Sequence, residues 1–383
     1  MTFFKRALAC LTAALIAALL PITALCAVPE DMDSFSEHCF KARNVVGGAV
    51  VITRNGKTLY SFSYGYKDAR RTQAVTADTC FRIASVTKLV SAVGLMQLFE
   101  QGRFSLDAPL SDSLPFSVFN PACPDEAITA RQVLSHTTGF KQIYHYHPDW
   151  ENLNTINRYF AKNTHPGAQY LYSNLNGGLI GSLIEALSGQ SVNAYMTQNV
   201  FSPLGINAAY NAGLLPDRTD ISAQLSKSGG SVMTAQKAVD SLESYDDTCA
   251  PGEHIEYTVG GLFISANGLS RLISMLQMNG EPGGRRILAA DTIRLMEADQ
   301  DKLEGSSVSC PGAHGLGMVR VTGLQGGVWY GHQGRRDGLS ANAYYQKETG
   351  LTVVVIANGY TYQSIDDVVT IARAFMEKAE EFI

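Results

Sequence analysis

The sequence predicts an α+β fold: an antiparallel sheet built from amino- and carboxy-terminal strands, flanked by helices, with a mainly helical subdomain inserted between the two sets of strands. Three observations carry this prediction. Strand-like segments separated by turn residues occur near both ends of the chain. The middle reads as helices joined by Pro- and Gly-containing loops, and a helix-compatible segment stands at each end to cover the sheet. A length of 383 residues with 45% hydrophobic content supplies a large core, which argues against disorder.

Taken in order, Glu30 to Ala42 reads as a short helix, and Gly48–Arg54 and Lys57–Tyr64 read as strands joined by Asn55-Gly56, a dipeptide suited to the positive φ angles of a tight hairpin. Ser85 to Gln101 is helix-compatible and apolar on most faces, ending at Gly102, so it predicts a buried helix. From Leu106 to about Leu303 the pattern is mainly helical, with helices predicted from Leu175 to Leu187, closed by Gly189, and from Gly268 to Met278. Strands follow at Gly317–Val321, Val328–Gly331, Ala341–Gln346 and Leu351–Asn358, and an amphipathic helix runs from Ile365 to Lys378. The predicted organisation is a leader over 1–26 and one domain over 27–383, whose α/β part takes about 30–105 and 305–383 and whose helical part takes about 106–304.

The leader consists of basic Lys5 and Arg6, an apolar run from Ala7 to Leu20, Pro21, and small residues from Thr23 to Ala27. It reads as a signal peptide, so the protein is expected to be exported, periplasmic or extracellular; retention of the segment would anchor the chain and give its only membrane contact. Cys10 and Cys26 leave with it, and Cys39, Cys80, Cys123, Cys249 and Cys310 remain, an odd number that permits at most two disulfides. Lys+Arg 30 against Asp+Glu 35 gives a net charge of −5, without the basic excess that binds nucleic acid.

No G-x-S-x-G elbow, P-loop, G-x-G-x-x-G or H-E-x-x-H pattern is present. Ser85-Val86-Thr87-Lys88 is the one Ser with a Lys three residues later. Three apart on the first turn of a buried helix, the two side chains share a face. Desolvation disfavours the ammonium form of Lys88 and supplies an amine base to the hydroxyl, while the Ser85 amide at the helix start faces developing negative charge. His136 in Ser135-His-Thr-Thr-Gly139 reads as a structural loop residue rather than a base. His145 and His147, with His165, lack the acidic partner of a hydrolytic metal site, so neither metal nor cofactor is expected.

With this motif the chain resembles the serine hydrolases related to penicillin-binding proteins and class C β-lactamases. Tyr172-Ser173-Asn174 looks like the family's Y-x-N motif, and His332-Gln333-Gly334 like its third, strand-borne motif. Connecting text is similar too, in Ile128–Gly139, Gly260–Asn267 and Glu348-Thr349-Gly350. The resemblance spans about Val45 to Met376 and implies a β-lactamase/DD-peptidase-like fold. It further implies a catalytic set of Ser85 acylated, Lys88 assisting its deprotonation and Tyr172 shuttling protons, with Asn174, His332, Gly334 and Arg335 binding substrate and the Arg335 amide completing the oxyanion hole. In place of K-T-G the third motif is H-x-G, which resembles D-aminopeptidases, esterases and DD-peptidase-like members. The implied substrates are therefore small molecules or peptidoglycan peptides containing D-amino acids, or small esters. A β-lactamase is the alternative enzyme, and a non-catalytic binder of wall fragments the alternative of another class.

Overall fold

Val50, Val51 and Ile52 near one end of the chain and Val353 to Ile356 near the other are β-branched, buried and hydrogen-bonded to each other. The computed structural model pairs Gly47–Arg54 with Leu351–Asn358 antiparallel, from Gly47 opposite Asn358 to Arg54 opposite Leu351. It describes residues 31–142, 157–240, 247–300, 314–324, 326–362 and 365–381. The leader with Cys10 and Cys26, the pair His145 and His147, and Cys310 lie outside them. The described residues from Phe40 onward belong to one compact unit.

In chain order the elements are α1 (Met32–Lys41), β1 (Gly47–Arg54), β2 (Lys57–Gly65), β3 (Cys80–Arg82), α2 (Val86–Glu100), α3 (Ala130–Leu134), α4 (Asn174–Ser188) and α5 (Val192–Met196). Then come β4 (Ala208–Ala209), β5 (Gln224–Leu225), β6 (Ser231–Met233), α6 (Ala235–Asp240), α7 (Ile255–Gly260), β7 (Phe263–Ser265), α8 (Ala266–Gln277) and α9 (Ala290–Glu297). The chain ends with β8 (Val319–Leu324), β9 (Gly327–Arg336), β10 (Leu339–Gln346), β11 (Leu351–Asn358) and α10 (Ile365–Glu380).

The principal sheet has the order β2-β1-β11-β10-β9-β8, so strands from both ends of the chain meet in it, as the fold class predicts. Asn55 and Gly56 turn the first hairpin with φ of 48° and 73°, the left-handed pair of a type I′ turn. Every residue of β10 and β11 is buried, because α8 packs on β1, β10 and β11 while α10 packs on β9, β10 and β11.

Two differences from the sequence reading bear on function. The segment expected as a strand from Val328 to Gly331 continues to Arg336, carrying the third motif on the strand. The middle of the chain, expected to be mainly helical, also contains β4 and β7, which join β3 from before α2 in a three-stranded sheet of order β3-β7-β4, and a two-stranded sheet, β5-β6. Strands of two or three residues are too short to show a period of two. The β3 strand matters most, since it delivers the chain to the start of α2.

Twelve of the fifteen residues of α2 are buried, so the helix is apolar on all sides and runs through the core. A glycine face on α4 permits close packing around it. A Cβ on Gly177 would stand 2.6 Å from Lys88 Cε, one on Gly178 would stand 2.2 Å from Ile255 Cγ2, and one on Gly181 would stand 2.6 Å from Thr258 Oγ1. These contacts bring α2, α4 and α7 together at one point.

Candidate active site

Ser85 stands one turn before Lys88, at the start of α2. It occupies the N-cap position of α2 without using its hydroxyl to cap the helix, which leaves Oγ available. The preceding Ala84 has φ of 46°, a left-handed conformation costing an alanine about 1–2 kcal/mol and making the sharp turn from β3 into the helix. Ser85 Oγ accepts a hydrogen bond from Lys88 Nζ at 3.1 Å and another from Tyr172 OH at 2.8 Å.

Lys88 is 1% exposed and directs its other two donors to Asn174 Oδ1 at 2.9 Å and the carbonyl of Val259, at the end of α7, at 2.7 Å. Among the described residues no carboxylate offsets its desolvation, which lowers its pKa to about 7. A lysine so placed exchanges a proton with a hydroxyl near neutral pH. Asn174 also reads as a cap for its helix, but the structure gives that role to Ser173, whose Oγ accepts from Leu175 N at 3.3 Å. Asn174 is instead the first helical residue, and its side-chain oxygen faces Lys88.

Tyr172 is fixed from behind by the turn His136–Gly139. The His136 ring stacks on the Tyr172 ring with centroids 4.6 Å apart, and Tyr170 and His314 stack with centroids at 3.8 Å. His136 Nδ1 accepts from Ser173 N at 3.2 Å and Asn176 Nδ2 at 3.1 Å, and Thr138 Oγ1 fixes that amide by donating to Asn176 Oδ1 at 2.9 Å. Burial and the nearby Lys88 push the His136 pKa well below its ordinary value, so the ring is neutral and carries its proton on Nε2. His136 therefore acts on Tyr172 by position.

On the opposite side, β8 pairs with β9 only as far as Gly331. Residues 332–336 thus have β10 on one edge and the start of α2 beside the other. A Cβ on Gly334 would lie 2.3 Å from Ile83 O and 3.0 Å from Ser85 N, so only glycine lets the strand lie against the Ser85 amide. His332 is buried, its Nδ1 donates to Gln333 O at 2.5 Å, and burial with Lys88 nearby lowers its pKa to about 3. It is neutral at physiological pH.

A cleft of about 550 Å³ opens over Ser85, bordered by Asn174, Val259, Arg335 and Tyr362. Four cations also line it, Arg335 and Arg336, which are adjacent in sequence, and Arg82 and Lys227, which sequence reasoning did not bring to them, against Glu256 and Asp337. Arg82 Nε donates to Gly260 O at 2.7 Å, Lys227 Nζ donates to Tyr362 O at 3.0 Å, and Arg335 lies 5.6 Å from the Tyr362 ring centroid. None of the four forms an ion pair among the described residues. Burial, with a smaller contribution from the neighbouring Arg336 and against that of Glu256, lowers the Arg82 pKa to about 9.

A serine hydroxyl between a neutralisable lysine and a tyrosine, at the start of a buried helix and beside a sheet edge, is the arrangement of a β-lactamase-fold hydrolase. Over residues 30–374 the chain matches the family described as Beta-lactamase, and it belongs to that family of serine hydrolases, esterases and peptidases. It is similar to "Protein flp" of Staphylococcus aureus (strain MRSA252), 29% identical over 182 residues, covering 46% of this chain and 36% of that protein. It is also similar to "Esterase EstB" of Burkholderia gladioli, 26% identical over 212 residues, covering 49% of this chain and 52% of that protein. The matches thus span about a third to a half of the length of these curated relatives. A solved beta-lactamase/D-alanine carboxypeptidase from Pseudomonas syringae superposes with a TM-score of 0.69 at 18% identity, covering 89% of this chain and 96% of that one, a likeness of fold.

Proposed function

We propose that the protein is a serine hydrolase that forms an acyl-enzyme on Ser85 and cleaves amide or ester bonds, with D-amino-acid-containing cell-wall peptides as its leading substrates and small esters next. The observation that carries this reading is the placement of Ser85 Oγ between Lys88 Nζ at 3.1 Å and Tyr172 OH at 2.8 Å. Neutral Lys88 takes the hydroxyl proton as Oγ attacks the substrate carbonyl carbon. The resulting oxyanion is held by the amides of Ser85 and Arg335. Tyr172 passes a proton to the leaving nitrogen or oxygen, the scissile bond breaks, and the Ser85 ester remains. Water, deprotonated through the same pair, then releases the acid and restores the serine. Asn174 holds Lys88 and presents its amide to the substrate.

The cations of the cleft, without ion-pair partners among the described residues, support a substrate bearing a carboxylate, as a peptide with a free carboxy terminus does. The basic and apolar leader supports export, which would bring the enzyme to such peptides. The test is turnover of a panel: D-Ala-D-Ala peptides, D-aminoacyl amides, short-chain esters and a chromogenic cephalosporin. The reading expects turnover of a D-peptide or ester that disappears in Ser85→Ala. Cephalosporin turnover exceeding all others would make the enzyme a β-lactamase. Binding of wall fragments without turnover of any panel member would make it a binder.

A further inference from the structure

Cys123, Glu126 and His165 play no part in this chemistry, yet each offers one ligand atom, and the three atoms lie within 4.8 Å of one another. His165 Nδ1 already touches Glu126 Oε1 at 2.7 Å. The residues belong to two loops held in place by the fold. In the first, Phe119 bridges Ala127 and closes a short loop, and Glu126 N donates to Cys123 O at 3.1 Å, a turn that sets the side chains of 123 and 126 on one side. In the second, Ala168 N donates to His165 O at 3.1 Å. Buried Asn120 fastens the two together, donating from Nδ2 to Thr164 O at 2.8 Å while its Oδ1 accepts from Ala122 N at 3.0 Å.

We propose that Cys123, Glu126 and His165 form a Zn²⁺ site, with water as the fourth ligand. One sulfur, one nitrogen and one oxygen donor suit a borderline-soft, tetrahedral ion and do not suit Mg²⁺ or Ca²⁺, which take oxygen cages. Thiolate and carboxylate together balance the charge of the ion. On binding, the Cys123 thiol gives its proton to solvent, Glu126 exchanges its hydrogen bond with His165 for the metal, and His165 ligates through Nδ1 as the neutral Nε2–H tautomer. The ligands stand on loops already fixed by Asn120, so little ordering opposes binding. The role is that of a staple. Gly167, two residues after His165, donates to Thr137 O at 2.7 Å, so the second loop supports the turn that holds Tyr172.

The test uses untagged, reduced, metal-stripped full-length protein. Co²⁺ is added as a spectroscopic stand-in, and Zn²⁺ is titrated against a chromophoric chelator. The proposal expects one equivalent of Co²⁺ to give the strong visible bands of a tetrahedral ion and a thiolate charge-transfer band. Affinity for Zn²⁺ should fall by at least an order of magnitude in Cys123→Ser and in His165→Ala, and persist in Cys249→Ser. A weak octahedral Co²⁺ spectrum, equal Zn²⁺ affinity in wild type and Cys123→Ser, or recovery of Cys123 as a disulfide from the exported protein would overturn it.

Discussion

The interior of the site and the rim of its cleft are built on opposite terms. In the interior, Lys88 has all three of its donors engaged, Ser85 Oγ accepts two hydrogen bonds, and Tyr172 is pressed between Ser85 and the His136 ring. On the rim, Lys227, Arg335 and Arg336 are exposed and, with Arg82, lack ion-pair partners among the described residues. Buried polar groups left unpaired are costly, so the interior is complete without substrate and is suited to one chemistry. The rim holds positive charge that no carboxylate of the described residues pairs, and in the proposed function a substrate carboxylate meets it. Under the proposed function, the chemical step belongs to the interior and the choice of substrate to the rim.

If that division holds, the largest losses come from the interior and appear with every substrate. Lys88→Ala removes the base, and turnover of a neutral ester should fall roughly 10²–10⁴-fold. In the wild type, raising pH through about 7 removes the ammonium proton and supplies the amine, so kcat/KM should rise with pH below that value and level off above it. His332 and His136 are held neutral and add no limb near neutral pH. A pH-rate profile that falls from pH 6 to 8 would argue against Lys88 as the base.

Gly334→Ala comes next. Its Cβ would collide with backbone at Ile83 and Ser85, so β9 or the start of α2 must shift. Displacing one oxyanion donor costs roughly 10²–10³ in kcat. The expected variant is folded by circular dichroism but has lost kcat for all substrates; wild-type kcat would show that the strand does not serve the oxyanion.

His136→Ala removes the ring behind Tyr172 and should lower kcat roughly 10–100-fold with little change in KM, as a misplaced proton shuttle does. His136→Asn, which tolerates the positive φ of 57° and keeps a hydrogen-bond acceptor, should recover part of the loss. Equal losses in both variants would place the importance of His136 in the stack alone.

The smallest effects belong to the rim and depend on the substrate. Lys227→Ala or Arg336→Ala should raise KM for a carboxylate-bearing peptide about 3–10-fold at low salt, less at high salt, and change a neutral ester far less. Equal changes with both substrates would erase the distinction between interior and rim.

How much of this was legible in the sequence follows the same division. Ser85 and Lys88 are three apart on one helix, so local spacing alone puts them together, and the hairpin at Asn55-Gly56 is equally local. Tyr172, Asn174 and the third motif, distant in sequence, were reached through family resemblance. The Val259 carbonyl was not legible because any residue offers one, and only the glycine face of α4 packing on α7 brings it to Lys88. Arg82, Lys227 and Arg336 come from separate segments, and their charges gather only when β3, the loop after β5 and the end of β9 meet. Cys123 and His165 likewise lie far apart in sequence, and the Asn120–Thr164 contact that joins their loops leaves no periodic trace.

The proposed chemistry turns on Ser85 as the acylated nucleophile. Its most direct test is intact-mass and peptide mass spectrometry after incubation with a fluorophosphonate at pH 8. One adduct per chain is expected, located on the peptide carrying Ser85, slower to form at pH 6 and absent in Ser85→Ala. An adduct on another residue, or an unmodified Ser85 in a protein that still hydrolyses esters, would contradict it.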